Sequence, residues 1–142
     1  MVLPLIVREA TSAAVTGFLR EDNDVAVWWG TWVECAVALS RLVRESRLNK
    51  EGEEEMRTLL ALLAEDWSEI QPTDEVRLLA GRVSKRHPLK AADTLQIAAA
   101  LVWCEEETEG REFVCFDDQL RRAASEEGFD VLPESPDEGD GV

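Results

Sequence analysis

The 142-residue chain carries 30 Asp+Glu against 15 Lys+Arg, a formal charge of −15, and 45% of its residues are apolar. The charge excludes a protein that grips nucleic acid through a broad basic surface, and the apolar content excludes a disordered acidic chain. A chain of this length suits one domain that buries roughly 68–70% of its unfolded surface, with no need of a disulfide or metal staple.

The elements follow in chain order. Ala14, Val15, Phe18 and Leu19 recur at helical spacing, which predicts a helix over Thr11–Arg20, with a preceding turn from Pro4 and a charged stop at Glu21–Asp24. Val25–Trp29, β-branched and aromatic and closed by Gly30, reads as a buried strand. A helix follows over Thr31–Glu45, apolar almost all round, as expected of a helix held in a sheet crevice. Met56, Leu59, Leu60, Leu63 and Trp67 mark one face of a helix over Glu51–Trp67, and Glu69–Gln71 is a short strand ended by Pro72. Val76, Leu79, Ala80 and Val83 belong to a helix opening at Thr73 or Asp74 and broken at Pro88. Ala91–Cys104 is a nearly all-apolar helix, Phe113–Phe116 a strand, Asp117–Glu127 a helix stopped by Gly128, and Phe129–Leu132 a last strand. Alternating strands and helices predict a three-layer α/β/α domain over 1–132 with a central parallel sheet. Residues 133–142 read as an acidic, disordered tail.

Several other chemistries lack material. Cys35, Cys104 and Cys115 form no CxxC pair and leave an odd thiol, which fits a reducing compartment and gives no zinc ribbon. A single histidine leaves almost nothing for His-based metal sites or a Ser-His-Asp triad. No signal peptide opens the chain, and no apolar run reaches the ~20 residues of a membrane span, so a soluble, cytoplasmic product with no membrane partner is expected.

Most acids sit among other charges. Three lie in apolar sequence: Glu34 in Trp32–Val37, Asp93 in Ala91–Ala98, and Asp117 directly after Phe113–Phe116. Asp93 and Asp117 each precede or open a helix and could serve as N-caps, while Glu34 could pair with Arg41, Arg86 or Lys90. In open α/β sheets, however, ligands bind outside the carboxyl ends of the strands, where the topology would bring all three together. Clustered carboxylates repel and raise one another's pKa, so such a pocket holds its charge only with a cation. Mg²⁺ or Mn²⁺ suits an oxygen-only site of this kind, and metal-assisted phosphodiester hydrolysis is the reaction class that follows.

These residues carry a resemblance. Trp28–Leu39, Ala91–Leu101 and Phe113–Leu120 (F-V-C-F-D-D-Q-L) resemble the strand-plus-Glu helix, the A-x-D-x-x-x-x-A-x-A-L helix and the V-x-F-D-x-x-L turn of the PIN-domain ribonucleases, especially the VapC toxins of VapBC toxin–antitoxin pairs. The resemblance runs from about Leu3 to Leu132. It implies an endoribonuclease with Glu34, Asp93 and Asp117 at a Mg²⁺/Mn²⁺ site and Asp118 as an outer ligand. RNA is then the substrate, a cognate antitoxin a partner, and the homodimer the oligomeric state. Members of the family open with a central strand ending in D-[ST]-[SA]; here strand and Asp would fall before Met1, which implies a misassigned start or a truncated paralogue. The alternative is a degenerate PIN domain that keeps only protein or RNA binding.

Arg82–Lys90 is the one dense basic stretch. Arg86 and Lys90 are the expected substrate contacts, guiding phosphate toward the Asp93 helix, unless the stretch only complements a helix C-terminus. His87 reads as a surface residue, and Trp28, Trp29 and Trp32 as core or dimer contacts.

Overall fold

The computed structural model describes residues 25–134. The expected helix over Thr11–Arg20 with its flanking turns, and the tail beyond Glu134, lie outside the described residues. The order is β1 (Ala26–Trp28), α1 (Thr31–Arg44), α2 (Lys50–Asp66), β2 (Ser68–Ile70), α3 (Asp74–Arg86), α4 (Ala91–Trp103), β3 (Glu112–Val114), α5 (Asp118–Glu126) and β4 (Asp130–Leu132). This is the strand–helix alternation of a three-layer α/β fold, with helix bounds within a residue or so of those expected and most strands shorter than the hydrophobic runs suggest.

Among the described residues the strands form two pairs, β1 with β2 and β3 with β4. No described strand joins β1 or β3 on its second edge, so the ladder stops at two in each pair. The β3–β4 pair is parallel, with Phe113 opposite Val131, and Cys115 N extends it by donating to Leu132 O at 3.1 Å.

The chain falls into two compact units. One contains Gly30–Ser68, hence α1 and α2. Cys35 and Leu39 on α1 and Leu60 on α2 are fully buried, and Trp67 closes the end of α2. Asn49 caps α2 by accepting from Gly52 N at 2.7 Å. Arg57 then bridges its own turn and the neighbouring helix, donating to Glu53 and to Ser40 Oγ, both at 3.1 Å. The all-round apolarity of α1 does not translate into all-round burial. Trp32, Val33 and Val37 are 47%, 51% and 49% exposed, so only the Thr31–Cys35–Leu39 stripe is core.

The other unit contains Ala26–Trp29 and the described residues from Glu69 onward. Thr73 caps α3, accepting from Val76 N at 3.3 Å. Val76, Leu79 and Val83 then fall on one face at i, i+3 and i+7 and pack along α4. Small residues at Ala98 and Ala99, with Ile97 and Leu101, let α4 approach both α3 and β1 closely. Gly128 ends α5 at φ +103°, where a Cβ would run into Thr108 Oγ1.

His87 is not on the surface. It is 6% exposed, because both ring nitrogens face carboxylates at the end of α5: Nε2 lies 2.7 Å from Glu127 and Nδ1 3.2 Å from Glu126. Arg86 adds an ion pair to Glu127 at 3.3 Å, and Thr108 Oγ1 donates to the Glu127 carbonyl at 2.8 Å. The basic stretch therefore begins as a tie between α3 and α5. Arg82, at the start of the stretch, bonds Glu106 at 2.9 Å.

Candidate metal centre

Asp117 lies three residues past the end of β3, at the N-cap of α5. Its Oδ1 accepts from Leu120 N at 3.0 Å, and its carbonyl accepts from Arg121 N at 2.9 Å. The cap bond uses one carboxylate oxygen, and the residue is exposed. Asp118 is the first residue of α5 and is exposed.

Asp93 has the other geometry. The N-cap position of α4 is Lys90, which makes no side-chain cap bond, and Asp93 is the third residue of the helix. Thr94 turns its hydroxyl back to the Lys90 carbonyl at 2.9 Å. Asp93 is therefore not spent as a cap. It is half-buried, and burial raises its carboxyl pKa above the ordinary value; the charge of Asp117 raises it further, and Lys90 pulls it down.

Asp93 and Asp117 thus sit in the N-terminal turns of two helices that pack on each other, and the charge of Asp117 bears on Asp93. Cys115, on the approach to Asp117, registers the same cluster. Burial pushes its thiol up to about 12, Arg121 lowers it, and Asp117 and Asp93 raise it. Asp117 is exposed and Asp93 half-buried, so a cation would relieve the repulsion between two like charges at two helix N-termini.

Glu34 belongs to the other compact unit, half-buried in the first turn of α1, its N–H bonded to the Gly30 carbonyl at 3.0 Å. Lys90 is exposed one turn before Asp93, and Arg86 is held by Glu127. Among the described residues no group of three or more His, Cys, Asp or Glu side chains is gathered as a metal cage. A pair of carboxylates still fits Mg²⁺, which keeps several waters and binds through one or two carboxylates plus substrate phosphate.

A family model for the PIN domain matches residues 2–126. The chain belongs to the PIN-domain family. No curated protein and no solved structure matches it significantly. A PIN domain is generally a metal-dependent nuclease fold acting on nucleic acid, which accords with carboxylates placed after a strand and at the head of a helix. In this PIN domain no helix among the described residues is long and apolar enough to cross a membrane.

One feature of the site carries no sequence signal: Arg121, whose guanidinium binds backbone carbonyls just beyond the ends of β3 and β4, sits beside Arg122 in an ordinary amphipathic helix.

Proposed function

We propose that this PIN domain is a Mg²⁺- or Mn²⁺-dependent endoribonuclease of the VapC kind. The observation that carries the reading is the placing of two carboxylates, Asp93 in the first turn of α4 and Asp117 at the N-cap of α5, on helices that pack on each other in a chain of a nuclease family. Asp93 and Asp117 are the principal ligands and Asp118 an outer one. A divalent cation there supplies Lewis acidity and a water of lowered pKa. Asp117 presents one oxygen while its cap bond fixes the other, and Asp93 adds a second charge from a helix that its own turn does not need. Lys90, exposed beside Asp93, meets the incoming phosphate; Arg86 contributes through the part of its side chain not held by Glu127. The resemblance to VapC toxins supports RNA as substrate, a cognate antitoxin, a homodimer and a cytoplasmic setting.

The test is RNA cleavage with added Mn²⁺, wild type against Asp93→Asn. Cleavage that persists in a chelator, or equal rates for the two proteins, sinks the mechanism. A second reading is a degenerate PIN domain that binds RNA or protein without cutting it. Its signature is RNA retention with no cleavage at any Mn²⁺ concentration.

A further inference from the structure

The Asp117 turn is held by one side chain that the proposed chemistry does not use. Arg121 is half-buried on α5 and faces back over the turn. Its Nη1 donates to Cys115 O at 2.8 Å, and its Nη2 donates to Pro133 O at 2.6 Å and to Glu134 O at 3.5 Å. Cys115 continues β3 and Pro133 continues β4, so a single guanidinium spans the carboxyl ends of both strands. A planar, always-charged fork suits this; an ammonium is one point charge and cannot hold two separated carbonyls in fixed geometry.

We propose that Arg121 is a positioning residue for Asp117: by clamping the carbonyl two residues upstream, it fixes the turn from which the capping carboxylate faces Asp93. The turn is then bounded on both sides. Upstream, the guanidinium holds Cys115 O; downstream, Leu120 N holds Asp117 Oδ1. The Arg121 backbone N–H, bonded to Asp117 O, makes the clamp and the cap parts of one helical turn. Releasing the guanidinium frees the Cys115–Asp117 segment to rotate, and the cap bond and the carboxylate pair loosen together. The inference rests on the metal-site reading for its consequence, though not for its geometry.

The experiment separates the two. Amide hydrogen exchange of Leu120 reports the cap without metal, and Mn²⁺ titration followed by electron paramagnetic resonance reports the site without RNA. In Arg121→Met, Leu120 exchange is expected to rise about tenfold, the loss of roughly one charge-assisted bond, while Ile97 in α4 stays protected. Mn²⁺ affinity is expected to fall by a similar factor, and to fall no further when Arg121→Met is added to Asp117→Asn, because both act through one carboxylate. Arg121→Lys, which keeps charge and stem, covers the case in which Arg121→Met does not fold, and is expected to show the same changes at smaller size. Unchanged Leu120 exchange in the folded variant overturns the positioning role, and so do additive losses of Mn²⁺ affinity. Faster Leu120 exchange in a protein whose wild type binds no Mn²⁺ overturns the metal reading and leaves Arg121 as a clamp on the cap alone.

Discussion

On the proposed reading Asp117 does two jobs with one side chain, and they come apart under substitution. As an N-cap it needs only an acceptor oxygen; as a ligand it needs charge. Asn keeps the acceptor that Leu120 N meets at 3.0 Å, whereas Ala removes it. Loss of such a cap costs about 1 kcal/mol, within a range of roughly 0.5–2, and Asn caps about as well as Asp. For a domain of this size ~1 kcal/mol corresponds to a fall in Tm of about 3–4 °C. Asp117→Asn also gives up the favourable charge at the helix N-terminus, about 0.3–1 kcal/mol, and relieves the repulsion with Asp93, which acts in the opposite sense. Its melting temperature is therefore expected to lie close to wild type, and that of Asp117→Ala clearly below. Mn²⁺-dependent RNA cleavage is expected to fall by about a hundredfold or more in both, as on removal of one electrostatic contact to a reacting centre. Thermal melts followed by circular dichroism, run beside a cleavage time course, test both halves. If Asp117→Asn melts as low as Asp117→Ala, the side chain is not the cap; if it cleaves at the wild-type rate, the charge is not a ligand.

Three further outcomes follow from the packing. The raised pKa of Asp93 means that the folded chain binds this proton more tightly than the unfolded one, so its contribution favours the fold below the ordinary carboxylate pKa and is lost as pH rises through the folded value. In a chelator at neutral pH, Asp93→Asn is accordingly expected to melt higher than wild type, with the gap closing as the pH falls into the carboxylate range; a lower Tm at neutral pH refutes this. Cys35 and Cys115 are buried, and desolvation pushes their thiols up to about 11 and about 12, so a thiol reagent at pH 8 is expected to leave the native protein unlabelled and to count three thiols in denaturant. Rapid native labelling of either would show that the fold opens there. His87→Ala removes two contacts and leaves Glu127 buried with Arg86 alone, which is expected to cost about 2–4 kcal/mol in urea unfolding; a change within 0.5 kcal/mol, the ordinary range for surface substitutions, would show that the cluster is not structural.

Elements and caps were legible because they depend on neighbours in sequence. The Val76–Leu79–Val83 stripe, the stop at Gly128 and the cap at Asp117 each need only a few adjacent residues, and all three stand in the structure. Asp93 was harder, since an Asp near a helix start can be cap or ligand, and only the position of Lys90 one turn earlier decides that it is not the cap. His87 and Arg121 were illegible because their partners lie elsewhere: Glu127 is forty residues from His87, and Arg121 binds carbonyls, which every residue has. The exposed face of α1 failed for a different reason. Hydrophobicity tells that a face can be buried, and Trp32, Val33 and Val37 show that it need not be.

The turn at Gly128 admits one amino acid for two unrelated reasons. Its backbone angle excludes side chains by local sterics, and Thr108, held in place by its bond to the Glu127 carbonyl, excludes them by volume. Trimming Thr108 to Ala would lift the second bar and leave the first, so no single compensating change reopens the position. Gly110, at φ +75° with open space around it, carries only the backbone bar and would accept Asn. Of two glycines that look alike in the sequence, one can drift and the other is locked.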